Sequence, residues 1–284
     1  MTRDRTQLVG AALALLVLAL LVVLDLSIPP DYAILTPMFG LAPLIACAVV
    51  PARGTAAVAI AALYQSAARG ALVGGDLYDC YHSDEHIRLL VGDVRGKGIA
   101  GVEQAARVIR AFRQSAALRP TLAEVAREMD AYLAGFFSDE EFVTALLVEV
   151  TDAGVLRLVS AGHPGPQLVR AVGSTMVDLP RALPLGLGLE GLSAAYVEAT
   201  VAWSPGDRLL MYTDGLSEAR DAGGEFLPVS SLEPRLRSDS VEQAVRGVVS
   251  AVTDHVPRGR LEDDLAVVVI EHLPVEVGDR DLTA

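Results

Sequence analysis

The order of apolar runs in this 284-residue chain predicts an α+β sandwich carried behind a two-helix membrane hairpin. Three observations lead to that class. The first 50 residues contain two long stretches without a charged residue in their apolar runs. The remainder places two adjacent helical segments between groups of strands, rather than one helix between each strand pair, which disfavours a parallel doubly wound sheet. Finally, the strongest apolar runs end in, or begin after, an aspartate.

Residues 8–24 form a run of 17 without a charge, continued to Ile28 with Asp25 and Ser27 as the polar interruptions. As a helix, residues 8–28 span about 31 Å, enough to cross a bilayer core. A cleaved leader needs a shorter apolar core and an A-x-A-like site, and LDLSIPPDY offers none. Residues 33–50 are a second run of 18, interrupted by Pro37 and Pro43. They span about 27 Å, and prolines are tolerated in membrane helices because neighbours re-satisfy the freed carbonyls. Asp25, Pro29, Pro30 and Asp31 supply the turn between them. Arg3 and Arg5 before the first run and Arg53 after the second place both ends of the hairpin in the cytoplasm. The expected organisation is a membrane anchor over residues 1–55, a catalytic domain over 56–273 and an acidic tail over 274–284, located at the cell membrane with the domain on the cytoplasmic side. The link PARGT leaves no room for a sensor domain between anchor and domain.

The formal net charge of −13 disfavours a nucleic-acid partner, which wants a basic face, and disfavours passive adhesion to anionic lipid. Two cysteines, Cys47 and Cys80, are too few for a disulfide framework, and a reducing compartment fits.

Within the domain, residues 56–64 read as a first strand, and 77–81 with 87–91 as a hairpin around Ser83, Asp84 and Glu85. Residues 98–117 carry helical periodicity through Ile99, Val102, Ala105, Ala106 and Ile109. Thr121 with Glu124 is a capping box opening a second helix that runs to Gly135. Strands follow at 142–150, 155–159, 167–171, 197–203 and 208–213. Ser240 with Gln243 opens a helix to about His255, and residues 265–270 are a buried strand.

The stretch VGDVRGKGIA at 91–100 looks at first like a phosphate-binding loop. The motif G-x-x-x-x-G-K-[ST] fails here, because only three residues separate Gly92 from Gly96 where the motif has four, and Gly98 stands where a hydroxyl should be. What remains is Asp93 at a strand tip, and it has company. Asp76 follows LVGG, Asp93 follows LLVG, Asp214 follows LLMYT, and Asp263 directly precedes DLAVVVI. Four carboxylates converging at one edge of a sandwich would repel strongly without cations. An oxygen-only donor set selects hard ions, Mn2+ or Mg2+, and two such ions would polarise a phosphoryl group and activate a water.

The blocks VGGDLYD, VGDVRGKG, EFVTALLVEV, SAGHPGPQL, LPLGL, GDRLLMYTDGLSEARD and EDDLAVVV occur in the order and spacing of a known family. The chain resembles the metal-dependent (PPM-type) serine/threonine phosphatases, in the bacterial branch typified by the stage II sporulation phosphatase. The resemblance covers about residues 57–273 and implies an α-β-β-α sandwich around a two-metal site. Carried over by position, the implied ligands are Asp76, Asp93, Asp214, Asp263 and the backbone carbonyl of Val94, with Asp93 bridging the ions and Asp93 and Asp214 as the catalytic pair. The implied activity is hydrolysis of phosphoserine or phosphothreonine on a cytoplasmic protein by a two-metal-activated water. The implied substrate is an anti-sigma-factor antagonist. Where the eukaryotic branch has a histidine two residues after the bridging aspartate, this chain has Arg95, either a phosphate contact or a solvated side chain. Lys97 is a candidate for phosphate binding or for solvation, and His163 is read as a loop histidine ordering its turn rather than as a catalytic acid. Asp79 and Asp264 flank ligand positions and are expected to support them. Two other functions compete: a phosphatase-like binding module without catalysis, and a diguanylate cyclase suggested by the triplet at Gly74–Asp76. The cyclase signature continues in Glu-Phe, where this chain has Leu77-Tyr78.

Overall fold

A computed structural model describes residues 58–65, 75–83, 86–96, 99–138, 140–151, 154–187 and 196–273. The two expected membrane spans, residues 8–28 and 33–50, and the acidic tail lie outside the described residues. Among the described residues, no helix is long and apolar enough to cross a membrane.

Among the described residues, ten strands form two five-stranded sheets whose ladders are all antiparallel. One sheet has the order β2(Asp76–His82), β3(Ile87–Val94), β4(Val143–Thr151), β5(Val155–Ala161), β8(Ala199–Ala202). The other has the order β1(Val58–Gln65), β10(Leu265–His272), β9(Arg208–Tyr212), β6(Gln167–Val169), β7(Ser174–Met176). The central strands β3, β4, β9 and β10 read as continuous apolar runs because both of their faces are buried. Leu89, Val91, Leu146, Val148, Leu209, Met211, Val268 and Ile270 fill the layer shared by the two sheets. On the outer face of the first sheet, Leu90, Val94 and Leu147 pack against α1(Ile99–Leu118) and α2(Leu122–Ala134) through Val108, Phe112, Val125 and Met129. On the outer face of the second, Leu210, Val267 and Val269 pack against α5(Val241–His255) through Val245, Val248 and Val252. The result is the α-β-β-α layering that the resemblance implies.

Local signals placed most boundaries. Thr121 and Glu124 make both reciprocal bonds of the capping box at the start of α2, a feature worth about 1 kcal/mol. Ser240 accepts the Gln243 N–H at the start of α5, as expected. On α1 the buried face is rotated from the expected one: Ala105, Val108, Ala111 and Phe112 face the sheet, while Ala106 is exposed. Two four-residue helices, α3(Asp214–Ser217) and α4(Glu233–Leu236), and strand β7 carry no periodicity in sequence and were not expected.

Each sheet also buries one arginine on a central strand. Arg88 on β3 is fully buried opposite its register partner Glu149 on β4, with Nε 2.6 Å from Oε2. Its remaining donors reach the carbonyls of Ala116, Arg119 and Pro120 at 2.6–3.0 Å, where α1 ends. Arg208 on β9 faces its partner Glu271 on β10 and donates to the carbonyls of Leu236, the last residue of α4, and Ser238 beyond it. The planar guanidinium satisfies a carboxylate and orphaned helix-end carbonyls together, so a charge inside each sheet is tolerated.

Candidate metal centre

Three of the metal-site candidates gather where the two sheets meet at one end. Asp76 opens β2 and Asp93 nearly closes β3, and the antiparallel register sets them directly opposite each other. Asp214 comes from the other sheet, on the first turn after β9. Each offers a carboxylate oxygen, and these oxygens lie within 4.8 Å of one another.

The electrostatics are unfavourable without a cation. Burial first, then the charges of Asp93, Asp214 and Asp264, push the Asp76 carboxyl well above the ordinary carboxylate range, against a lowering by its Thr213 hydrogen bond. Burial and then Asp214 raise Asp93 likewise, with smaller contributions from Asp263 and Asp264. Asp214, Asp263 and Asp264 thus add negative charge beside this pair.

Backbone oxygen joins the side chains. A Cβ placed on Gly75 would lie 2.4 Å from the Val94 carbonyl oxygen and 2.8 Å from Asp93 Oδ1, so both oxygens face the bare Cα of Gly75. Gly215 is needed for a similar reason, since a side chain there would meet the Asp264 carbonyl at 1.9 Å. Three carboxylates with an adjacent carbonyl, and no sulfur or imidazole among them, suit Mg2+ or Mn2+.

The other candidates fall out as follows. Asp263 stands outside the trio, exposed on the loop before β10; its Oδ1 accepts the Asp264 N–H at 3.0 Å and its charge acts on Asp93. It lines a cleft with Gly215, Glu218, Arg220 and Glu262. Asp79 does not support the centre. Its carboxylate is taken bidentately by Arg113 of α1 at 2.7 and 2.9 Å, which ties that helix to β2. Arg95 is exposed with its guanidinium over the Phe142 ring, 5.4 Å from the centroid. Lys97 lies outside the described residues.

His163 is a structural residue, as expected, but it orders more than its own turn. Its Nε2 reaches the Tyr212 carbonyl at 2.9 Å, which requires that nitrogen to carry the proton, so Nδ1 accepts from Thr144 Oγ1 at 3.0 Å. Thr144 is the register partner of Asp93, and Tyr212 lies two residues before Asp214. The ring therefore joins the two sheets beside the carboxylates. Burial lowers its pKa to about 4, so it stays neutral and is no proton donor at neutral pH. Sequence reasoning missed Thr213, whose hydroxyl donates to Asp76 Oδ2 at 2.5 Å. The available signal was a threonine directly before Asp214 at a strand-to-helix junction.

With this geometry in place, the model of the stage II sporulation protein E (SpoIIE) family matches residues 83–273. The chain belongs to that family. Among solved structures, the RsbU and RsbW domains of Rv1364c from Mycobacterium tuberculosis match at 24% identity and TM-score 0.65, covering 77% of this chain and 62% of that one. The PP2C phosphatase domain of SpoIIE from Bacillus subtilis, with a fragment of its regulatory domain, matches at 17% identity and TM-score 0.64, covering 76% and 64%. The catalytic domain of the serine/threonine phosphatase PstP, in complex with two manganese ions, matches at 17% and TM-score 0.56, covering 77% and 100%. The chain thus spans less than two thirds of the length of the first two. The likenesses show that this SpoIIE-family domain has a PP2C fold.

Manganese is expected to stabilise this SpoIIE-family domain, by about 2.7 kcal/mol at a hundredfold excess over the dissociation constant. The gain should grow with pH. In the folded metal-free chain both raised carboxyls keep protons that the unfolded chain releases near pH 4, so the metal-free fold loses stability as the pH rises from about 4 toward neutrality. Thermal melts with manganese and with chelator at pH 5.5 and 7.5 test this. A midpoint insensitive to metal at both values would count against the centre.

Proposed function

We propose that this chain is a membrane-anchored protein phosphatase that hydrolyses phosphoserine or phosphothreonine on a cytoplasmic protein. The observation that carries this reading is the meeting of Asp76, Asp93 and Asp214 within 4.8 Å, with the charges of Asp263 and Asp264 also acting on the site. Mn2+ or Mg2+ ions held there would supply the positive charge that polarises a phosphoryl group and lowers the pKa of an attacking water. The chain's own part is to hold the oxygens. Asp93 and the Val94 carbonyl approach from β3, Asp76 from β2 and Asp214 from α3. Asp263 completes the proposed ligand set from the loop before β10, and Arg95 is available to the phosphate. Neutral, internally bonded His163 takes no part in proton transfer.

The proposed substrate is a phosphorylated anti-sigma-factor antagonist. The family resemblance supports it, as does a neighbour that carries RsbU and RsbW domains. The test is manganese-dependent hydrolysis of a phosphomonoester and of a phosphoserine peptide by the purified full chain, beside Asp214→Asn. Turnover that is absent from the parent would favour the non-catalytic binding module.

Membrane anchoring rests on the apolar runs at 8–28 and 33–50 and their arginine flanks. Reporter fusions at Asp31 and at Arg53 should fall on opposite sides of the membrane. Both reporting from one side would sink the hairpin.

A further inference from the structure

We infer that Thr213 is a positioning residue for the metal centre, holding Asp76 from the opposite sheet so that its carboxylate meets Asp93 and Asp214. The inference rests on the phosphatase reading above and names the group that sets the geometry of its site.

Thr213 is completely buried and occupies the N-cap position of α3, yet its side chain makes no cap hydrogen bond. A threonine at an N-cap ordinarily accepts from an N–H of the first helical turn. Here the hydroxyl turns away from the helix. It accepts the Ala266 N–H at 2.9 Å and lies 2.5 Å from Asp76 Oδ2. A hydroxyl carries a single proton, and the other acceptor in range, the Ala266 carbonyl, is 3.5 Å away. The proton therefore goes to Asp76.

This bond crosses between the sheets. Asp76 opens β2 of one sheet, while Thr213 and Ala266 lie at the metal end of β9 and β10 in the other. The backbone of Thr213 is itself fixed by its N–H to the Ala266 carbonyl at 3.1 Å. Asp214 is the next residue, so one short segment carries one candidate ligand and orients another. With Oδ2 held, the Asp76 carboxylate is not free to turn about its Cβ–Cγ bond. Outer groups of this kind commonly change metal affinity or activity by 10–100-fold when removed.

The test compares Thr213→Ser, Thr213→Val and Thr213→Cys in the full chain, with manganese alone titrated calorimetrically into chelator-treated protein. Thr213→Ser keeps the donor and should bind within about threefold of the parent. Thr213→Val keeps the shape without the donor and should bind about 10–100-fold more weakly, with the KM for a phosphomonoester at saturating manganese unchanged. Circular dichroism checks the fold, because valine also leaves the Ala266 N–H without its acceptor. If Thr213→Val does not fold, Thr213→Cys decides, its weak S–H donor giving an affinity below that of the serine variant. Parent-like affinity in a folded valine variant, or equal affinity of cysteine and serine variants, would overturn the role of Thr213 while leaving the phosphatase reading intact. A parent chain that binds no manganese would overturn both.

Discussion

Asp93→Asn is expected to lower kcat at least about a hundredfold, equivalent to 2.7 kcal/mol or more of transition-state stabilisation. Asparagine preserves the shape of the side chain and one carbonyl oxygen, so the packing of β3 should survive. What it removes is a negative charge from the middle of the cluster. Asp93 faces Asp76 across the β2–β3 ladder, lies within 4.8 Å of Asp214 by its ligand oxygen, and shares the cradle at Gly75 with the Val94 carbonyl. In the proposed two-metal site Asp93 would contribute to holding both ions. Its loss should therefore fall on the chemical step more than on substrate capture, lowering kcat and kcat/KM together. The metal-free protein should move the other way. Removing one of several repelling carboxylates relieves the folded state, so chelator-treated Asp93→Asn should melt at or above the parent. The paired readout is steady-state kinetics in manganese and melting in chelator. Parent-like kcat in the variant would refute the two-metal reading of the site.

The largest stability effect is expected at Arg88. Arg88→Met should cost about 3–5 kcal/mol, the range for breaking a buried ion pair by removing one partner. For a domain of this size that corresponds to a fall in melting temperature of about 6–20 °C. The variant leaves Glu149 buried with only the half-exposed Arg157 as counter-ion, and leaves the carbonyls of Ala116, Arg119 and Pro120 without their donor. Arg88→Lys should not rescue it, because a single ammonium cannot reproduce the fork that meets a carboxylate and three carbonyls together. Changing both partners, to Arg88→Met with Glu149→Leu, should recover part of the loss, since no unpaired carboxylate then remains in the sheet. Denaturant melts of the two single variants and the double variant give the coupling. Additive losses would show that the pair is not the unit that matters.

Much of this protein was legible before any coordinates. The strand runs at 87–91, 142–150, 208–213 and 265–270, the capping residues Thr121 and Ser240, and the aspartates at strand ends are local signals. They are local because burial of both strand faces leaves a continuous apolar run, and because caps and turns satisfy backbone groups within a few residues. The order of those signals was enough to choose a sandwich over a doubly wound sheet, and to pick out three residues that do converge. Tertiary structure decided what depends on approach between segments distant in sequence. It took Asp79 away from the centre and gave it to Arg113. It set Asp263 outside the trio, turned the Thr213 hydroxyl from its own helix to Asp76, and placed Arg88 and Arg208 inside the sheets. None of these has a period or a cap to announce it. A polar side chain in a strand or loop reads the same whether its partner is water or a carboxylate more than a hundred residues away, and only the meeting of the two sheets determines which it finds.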